Sequence, residues 1–367
     1  MVPALAVADA LRAEGAEVTF IGGARAEAAL VPRAGYELRA ISVEGLSRTN
    51  PLLAARALAR AGAAFVRARS LLKELEPDAV LGGGGYVAGP VGLAAMTLRV
   101  PLVLSEADSH LGLTNRVLAR GARRVCLAFP LAGREGARYR VTGRPVPPSQ
   151  EDREGARTRL GLATGEACVL VFGGSLGSRT INLAAVAAFA GAASTVQAST
   201  VQASTSEASA EVPSTGIVST SAAVRVLHIS GRRDYAELAA RNLPVEYDLR
   251  EYLDLDEFAD ALAAADLVVA RAGGSVFEIA ASGTPAVLVP YPHASADHQT
   301  ANARWMENAG AAVVIEDGEL DGVRLAREVA ALLADRGRLA EMGLASRGLA
   351  RPDAAKDIAD ELLKAAA

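Results

Sequence analysis

The sequence predicts an α/β protein made of two doubly wound parallel-sheet domains, and three observations predict it. Short β-branched runs alternate with longer Ala/Leu/Arg segments, the pattern of strands covered on both faces by crossover helices. Twelve such runs fall into two sets of six, separated by a proline-rich hinge at 143–149 (GRPVPPS). The 367 residues are 51% hydrophobic, 22% charged and 4% aromatic. That composition excludes a disordered chain and supplies more than one core.

The elements follow in order. The chain opens in a helix, with Pro3 in the first turn and Leu5, Val7 and Leu11 as apolar positions. Strands are expected at 18–22, 38–43, 79–82, 102–106, 124–128 and 139–142. The second set is expected at 168–172, 224–229, 247–251, 267–270, 286–289 and 312–315. Residues 194–221 repeat STVQAST and run on through Ser, Thr, Ala and Pro, which reads as a low-complexity surface insertion.

Charge and cysteine usage narrow the setting. Residues 1–150 carry a net +7 and residues 151–367 a net −11, so one half is suited to an anionic partner, with compositional drift as the plain alternative. Cys126 and Cys168 sit in apolar runs without CxxC spacing, which argues against a disulfide framework or structural zinc and fits a reducing compartment. The first eleven residues lack the basic start of a signal peptide. The uncharged stretch at 79–98 is too rich in glycine for a lipid-exposed helix, and that at 180–206 is too polar. A soluble or peripheral protein is expected.

Five strand-to-helix turns carry the chemistry. Residues 81–90 (LGGGGYVAGP) form a glycine run that fits either ligand approach or a tight turn. Residues 171–182 (VFGGSLGSRTIN) place Gly173, Gly174, Ser175 and Gly177 before a helix, the order an amide cradle for a diphosphate needs. Residues 271–283 (RAGGSVFEIAASG) set Gly273, Gly274 and Ser275 before a helix with Glu278 one turn in. A carboxylate there can accept from two vicinal sugar hydroxyls, or simply complement the helix dipole. Residues 290–302 (PYPHASADHQTAN) hold His293, Asp297, His298, Gln299 and Asn302 at a strand end. Hydrogen bonding to substrate suits that loop better than zinc, whose ligand spacing it lacks. After the strand at 102–106, Asp108 or Ser109 can cap a helix, while His110 and Asn115 are polar groups that can face a ligand.

Taken together, LGGGGYVAGP, EADSHLGLTNRVLA, VTGRPVP, FGGSLGSRTIN and RAGGSVFEIAASGTPAVLVPYPHASADHQTANA resemble the bacterial peptidoglycan glycosyltransferase family MurG. The resemblance runs from Met1 to about the C-terminus, the insertion excepted. It implies the GT-B architecture, two Rossmann-like domains facing across a cleft. These would be 1–142 joined by a final helix at about 350–367, and 143–349 with the insertion at about 191–222. It implies inverting transfer of N-acetylglucosamine from UDP-GlcNAc to the undecaprenyl-diphosphate-linked muramoyl-pentapeptide, lipid I, giving lipid II at the cytoplasmic face of the plasma membrane. No metal, cofactor or nucleic acid is implied.

By the same resemblance, Gly173, Gly174, Ser175 and Gly177 would hold the diphosphate, and the backbone near Leu253 would meet the uracil. Gly274 and Ser275 would line the nucleotide, and Glu278 would take the ribose hydroxyls. Gln299 and Asn302 would contact the sugar, and Asn115 would reach the donor from the first domain. Two departures stand out. The family begins with a strand and a GGTxGH loop before the helix that opens this sequence, and that loop bears the His proposed as base. Asp108 and His110 are the remaining base candidates, poor catalysis by this chain is expected, and the strand at 18–22 is expected to lack its neighbour. Pro147 stands where some relatives have an arginine beside the uracil.

Segment 51–73 has Arg56, Arg60, Arg67, Arg69 and Lys73 and no acidic residue, with Leu52, Leu53, Leu58, Phe65, Val66, Leu71 and Leu72 as apolar groups. It is expected to meet an anionic membrane surface, the alternative being an ordinary helix packed on the sheet. Other readings within the same architecture are a diacylglycerol glycosyltransferase or a UDP-GlcNAc 2-epimerase. A chain that binds the donor without turnover is the reading from another class.

Overall fold

The computed structural model describes residues 1–23, 26–42, 51–174, 176–190 and 224–367. Ser175 and the whole predicted insertion therefore lie outside the described residues. The chain divides into two compact units, Met1–Pro147 with Arg351–Ala367, and Pro148–Ala350. The first division falls at Pro147, against the expected end at Thr142.

In unit 1 the order is α1 (Val2–Ala13), β1 (Thr19–Gly22), α2 (Ala26–Arg33), β2 (Glu37–Ala40), α3 (Pro51–Leu75), β3 (Val80–Gly82), α4 (Gly85–Leu98), β4 (Leu102–Glu106), α5 (Leu113–Leu118), β5 (Arg124–Leu127) and β6 (Tyr139–Val141). Its six described strands form two sheets, and the strand at 18–22 lacks an inner neighbour among the described residues, as expected. β1 pairs with β2, while β3, β4, β5 and β6 form a separate four-stranded parallel sheet. Among the described residues, β1 and β3 each have one edge without a strand partner. A doubly wound sheet needs an inner strand hydrogen-bonded on both sides, and none joins these two edges.

Unit 2 runs α6 (Arg153–Arg159), β7 (Ala167–Phe172), α7 (Arg179–Phe189), β8 (Val224–Ile229), α8 (Tyr235–Ala239), β9 (Tyr247–Arg250), α9 (Leu255–Ala264), β10 (Leu267–Ala270), α10 (Val276–Ser282), β11 (Ala286–Leu288), α11 (His298–Asn308), β12 (Ala312–Val314), α12 (Gly322–Ala334) and α13 (Arg336–Leu349). Its six parallel strands lie in one sheet, order β12-β11-β10-β7-β8-β9. All six residues of β7 and all four of β10 are buried, as strands covered on both faces must be. The final helix, α14 (Ala354–Ala366), returns to unit 1, where Ile358 and Leu362 pack with Val7, Val103 and Cys126. Glu361 of α14 pairs with Arg124 of β5 and with Arg140 of β6 at 2.7 Å.

Candidate functional site

The order of the unit 2 sheet reverses between β7 and β10, and both strands end in glycine turns on the same edge. That is where an open α/β sheet leaves a ligand crevice. After β7, the Gly177 amide donates to Gly174 O at 2.9 Å, and Ser178 caps α7 by accepting from the Ile181 amide. Gly177 has φ +77° and abuts Gly231, which follows β8 with φ +75°; a Cβ on either would collide with the other loop's backbone. Only glycine fits both places. Gly173, Gly174 and Gly177 thus make a fixed backbone wall ahead of the α7 N-terminus.

After β10, Gly273 and Gly274 lead to Ser275 at the N-cap of α10, and Glu278 lies half-buried in its first turn. Arg271, 8% exposed, donates to the carbonyls of Val289 and Pro290 at 3.1 and 3.2 Å. It thereby ties the end of β10 to the loop that follows β11. On that loop Gln299 accepts from the Tyr291 amide at 3.0 Å. Asn302, buried, donates to Ala272 O at 3.0 Å, and its Oδ1 has no partner among the described residues. Gly274, Ser275, Glu278, Gln299 and Asn302 therefore gather around the ends of β10 and β11. Leu253 does not join them: it is buried just beyond β9, with β7 and β8 between that strand and β10. His293 stands edge-on to Tyr291 and Asp297 accepts from Thr300 at 2.6 Å. Among the described residues no group of His, Cys, Asp and Glu is clustered to hold a metal ion.

Beneath the β7 turn lies a buried polar chain that the sequence reading missed. Asn182 Nδ2 donates to Ser230 O and Asp234 Oδ2, both at 2.9 Å. Its Oδ1 therefore accepts from His228 Nε2 at 3.0 Å, which leaves His228 Nδ1 to accept from the Tyr247 hydroxyl at 2.7 Å. Burial pushes His228 down to about 4, so it is neutral at neutral pH. Burial pushes Tyr247 up. The residues are spread over 66 positions, so no local motif could have revealed the chain.

In unit 1 the loop after β4 is organised by Glu106, also missed. Its carboxylate is buried and accepts from the amides of Asp108 (3.2 Å) and Gly112 (2.9 Å) and from Asn115 Nδ2 (3.0 Å). Asn115 is held inside unit 1, and its Oδ1 lacks a partner among the described residues. The N-cap of α5 is Gly112, so neither Asp108 nor Ser109 caps that helix as expected. Both base candidates, Asp108 and His110, stay on this loop at the C-terminal edge of the sheet, half-buried.

Part of helix α3 packs on the sheet, the plain alternative for segment 51–73. Leu71 and Leu72 are core residues and Phe65 packs against the same core; with α4 beneath, these groups face inward. Arg69 is half-buried and reaches Thr97 at 3.4 Å, Arg60 is half-buried, and Arg67 and Lys73 are exposed. The side chains of Leu52, Leu53, Arg56 and Leu58 lie outside the described residues. Apolar exposure is found instead at Val66 of α3, Tyr86 and Leu93 of α4, and Leu113 and Val117 of α5. No described helix is long and apolar enough to cross a membrane. Both cysteines are free and buried, and burial pushes each thiol up to about 12.

Comparison with known proteins agrees with this layout. The N-terminal domain of glycosyltransferase family 28 matches residues 1–127 and its C-terminal domain residues 168–359. The chain is similar to a UDP-N-acetylglucosamine–N-acetylmuramyl-(pentapeptide) pyrophosphoryl-undecaprenol N-acetylglucosamine transferase of Methylococcus capsulatus, 40% identical over 99% of this chain and 95% of that one. The same-named transferase of Moorella thermoacetica is 39% identical over the same shares. Among solved structures, MurG of Acinetobacter baumannii superposes with TM-score 0.72 at 30% identity, over 99% of this chain and 95% of that one. A UDP-N-acetylglucosamine 2-epimerase of Listeria monocytogenes reaches TM-score 0.66 at 15% identity, a likeness of fold alone.

Proposed function

The chain belongs to the MurG family of glycosyltransferase family 28, and from that premise we propose how its residues perform the family's reaction. It is an N-acetylglucosaminyltransferase, moving the sugar from UDP-GlcNAc to lipid I with inversion and releasing UDP.

The observation that carries the donor assignment is the pair of glycine turns after β7 and β10, side by side where the strand order reverses. The wall formed by Gly173, Gly174 and Gly177 faces the diphosphate, a role the family resemblance also gives Ser175. The N-terminus of α7 behind it favours the negative charge that builds on UDP as the glycosidic bond breaks. Gly274 and Ser275 line the nucleotide and Glu278 accepts from the ribose hydroxyls. Gln299 contacts the sugar, and Asn302, whose buried Oδ1 awaits a donor, accepts from it. The backbone near Leu253 meets the uracil at the edge of the crevice. Asp108 and His110 are the groups able to take the acceptor hydroxyl's proton, a role worth about 10²–10⁴-fold in rate.

Calorimetry with UDP tests the donor site. Glu278→Ala is expected to weaken binding by about 1–3 kcal/mol, the cost of charge-assisted hydrogen bonds lost. Equal affinity in variant and wild type sinks the ribose assignment.

The lipid acceptor calls for a peripheral site on an anionic cytoplasmic membrane surface. Support comes from exposed Val66, Tyr86, Leu93, Leu113 and Val117 on three helices packed in succession, with Arg67 and Arg116 exposed on the same helices and Arg120 exposed in the turn after α5. Val66→Gln with Leu113→Gln and Val117→Gln is expected to reduce co-sedimentation with phosphatidylglycerol vesicles, and added salt to weaken the remainder. Unchanged sedimentation of the triple variant counts against this face.

A further inference from the structure

The β8 turn reads Gly231, Arg232, Arg233, Asp234, and no motif drew attention to it. β7 and β8 are parallel neighbours with Phe172 opposite Ile229, so their turns leave the sheet edge together. The Gly177–Gly231 backbone contact fuses them into one surface. On that surface Arg233, 58% exposed, points Nη2 at Gly177 O from 3.5 Å. Arg232 lies over the face of exposed Tyr252 at 5.8 Å, next to Leu253.

The charges around the turn do not cancel. Buried Asp234 shares its carboxylate among Asn182 Nδ2 at 2.9 Å, Arg179 at 3.4 Å and Arg233 Nε at 3.5 Å. Glu237 is divided between Arg179 at 2.7 Å and Arg241 at 3.0 Å. Arg179, Arg233 and Arg241 thus share two carboxylates while Arg232 rests on Tyr252. Even with exposed Glu251 counted against them, the four arginines leave positive charge on the exposed pair beside the glycine wall. Arginine's planar fork matches phosphate oxygens.

We infer that Arg233, with Arg232 alongside, is a charge-bearing part of the donor site and holds the phosphates of the nucleoside diphosphate. The inference rests on reading the 173–178 turn as the diphosphate cradle. It adds a fixed cation where the leaving UDP accumulates charge, next to the amides and helix dipole that the turn already offers.

Titration calorimetry with UDP and with uridine, at low and high salt, tests it on wild type, Arg233→Gln, Arg233→Lys, Arg232→Gln and Glu278→Ala. Arg233→Gln is expected to lose about tenfold in UDP affinity, as fits one charge-assisted contact at a partly exposed site. It should leave uridine unchanged and flatten the salt dependence, with Arg233→Lys recovering most of the loss and Arg232→Gln losing less. If Arg233→Gln binds UDP like wild type while Glu278→Ala does not, Arg233 lies outside the site and the donor reading survives. If the glutamine and lysine variants lose UDP and uridine alike, Arg233 only supports the turn and the proposal fails. Wild-type UDP binding in both Arg233→Gln and Glu278→Ala overturns the donor reading and this inference with it.

Discussion

Among the described residues the two units contain the same number of strands and resolve them differently. In unit 2 the six strands form one ladder, and β7 and β10 at its centre are hydrogen-bonded on both sides and buried throughout. In unit 1 the ladder is interrupted between β1 and β3, and each offers an open edge among the described residues. Backbone groups on an open edge must find other partners or water. Unit 2 therefore has a rigid centre under its glycine turns. The other half relies on helices, above all α14, to hold its sheet.

A matched pair of cavities tests that contrast with the largest effects. Leu170 on β7 and Leu104 on β4 are both fully buried, and Leu→Ala at such sites costs about 3–5 kcal/mol, least where the surroundings can collapse. β7 is locked between β8 and β10, whereas β4 neighbours β3, whose far edge is open. Leu170→Ala is expected near the top of the range and Leu104→Ala near the bottom. Trp305, the single tryptophan, lies in α11 of unit 2, so urea unfolding followed by its fluorescence reads that unit. Only Leu170→Ala should move this transition strongly; equal movement by both variants erases the distinction.

Acid offers a second, somewhat smaller contrast. His228 titrates near 4 in the folded protein, against an ordinary 6.5, because burial disfavours its charged form. The unfolded chain binds the proton first as pH falls, so unit 2 loses stability from pH 6.5 down to about 4. A difference of about two and a half units is worth about 3 kcal/mol. His228→Gln keeps a polar side chain and removes the titration, so it should flatten the Trp305 transition across this window relative to wild type. Identical pH profiles refute the assignment.

Much of this was legible in the sequence because it is local. Runs such as 224–229 and 267–270 are strands because they are short, β-branched and followed by turns, and all twelve predicted strands are present within a few residues. The turns holding Gly173, Gly177, Gly274 and Glu278 were legible for the same reason. What escaped depends on distant pairing. That β1 would lack an inner neighbour is expected only from the family resemblance, because no periodicity reports strand pairing. Leu71 and Leu72 follow the same helical period on a core face as on a membrane face, and only α4 packed beneath decides between them. Asn182, His228 and Tyr247 meet across three elements, and the loop after β4 is closed by Glu106, which reads in sequence as the last residue of a strand.

The smallest of the expected effects bears on what holds unit 1 closed. Glu361 is 5% exposed and takes both Arg124 and Arg140, which are 31% and 37% exposed. Asp357, one turn earlier, takes Arg140 at 2.7 Å. Burial pushes the Glu361 carboxyl up, but hydrogen bonds from Arg140 and Arg124 outweigh it, and it titrates below its ordinary 4.5. Unlike His228, this group's contribution is complete above pH 4.5 and is lost as pH falls through the lowered folded value. Glu361→Gln keeps the shape of the side chain and removes its charge. It is expected to cost about 2 kcal/mol, less than breaking a fully buried pair because both arginines reach solvent. Hydrogen exchange should locate the loss: amides of α14, β5 and β6 should exchange faster in the variant, while those of β7 and β10 stay as in wild type. In acidified wild type the faster exchange of α14, β5 and β6 should set in only below pH 4.5, on top of the weakening of unit 2 that His228 has already brought. If exchange rises equally in β7 and β10, the salt-bridged helix is not a support of unit 1 alone, and the contrast between a self-sufficient sheet and a helix-braced one fails.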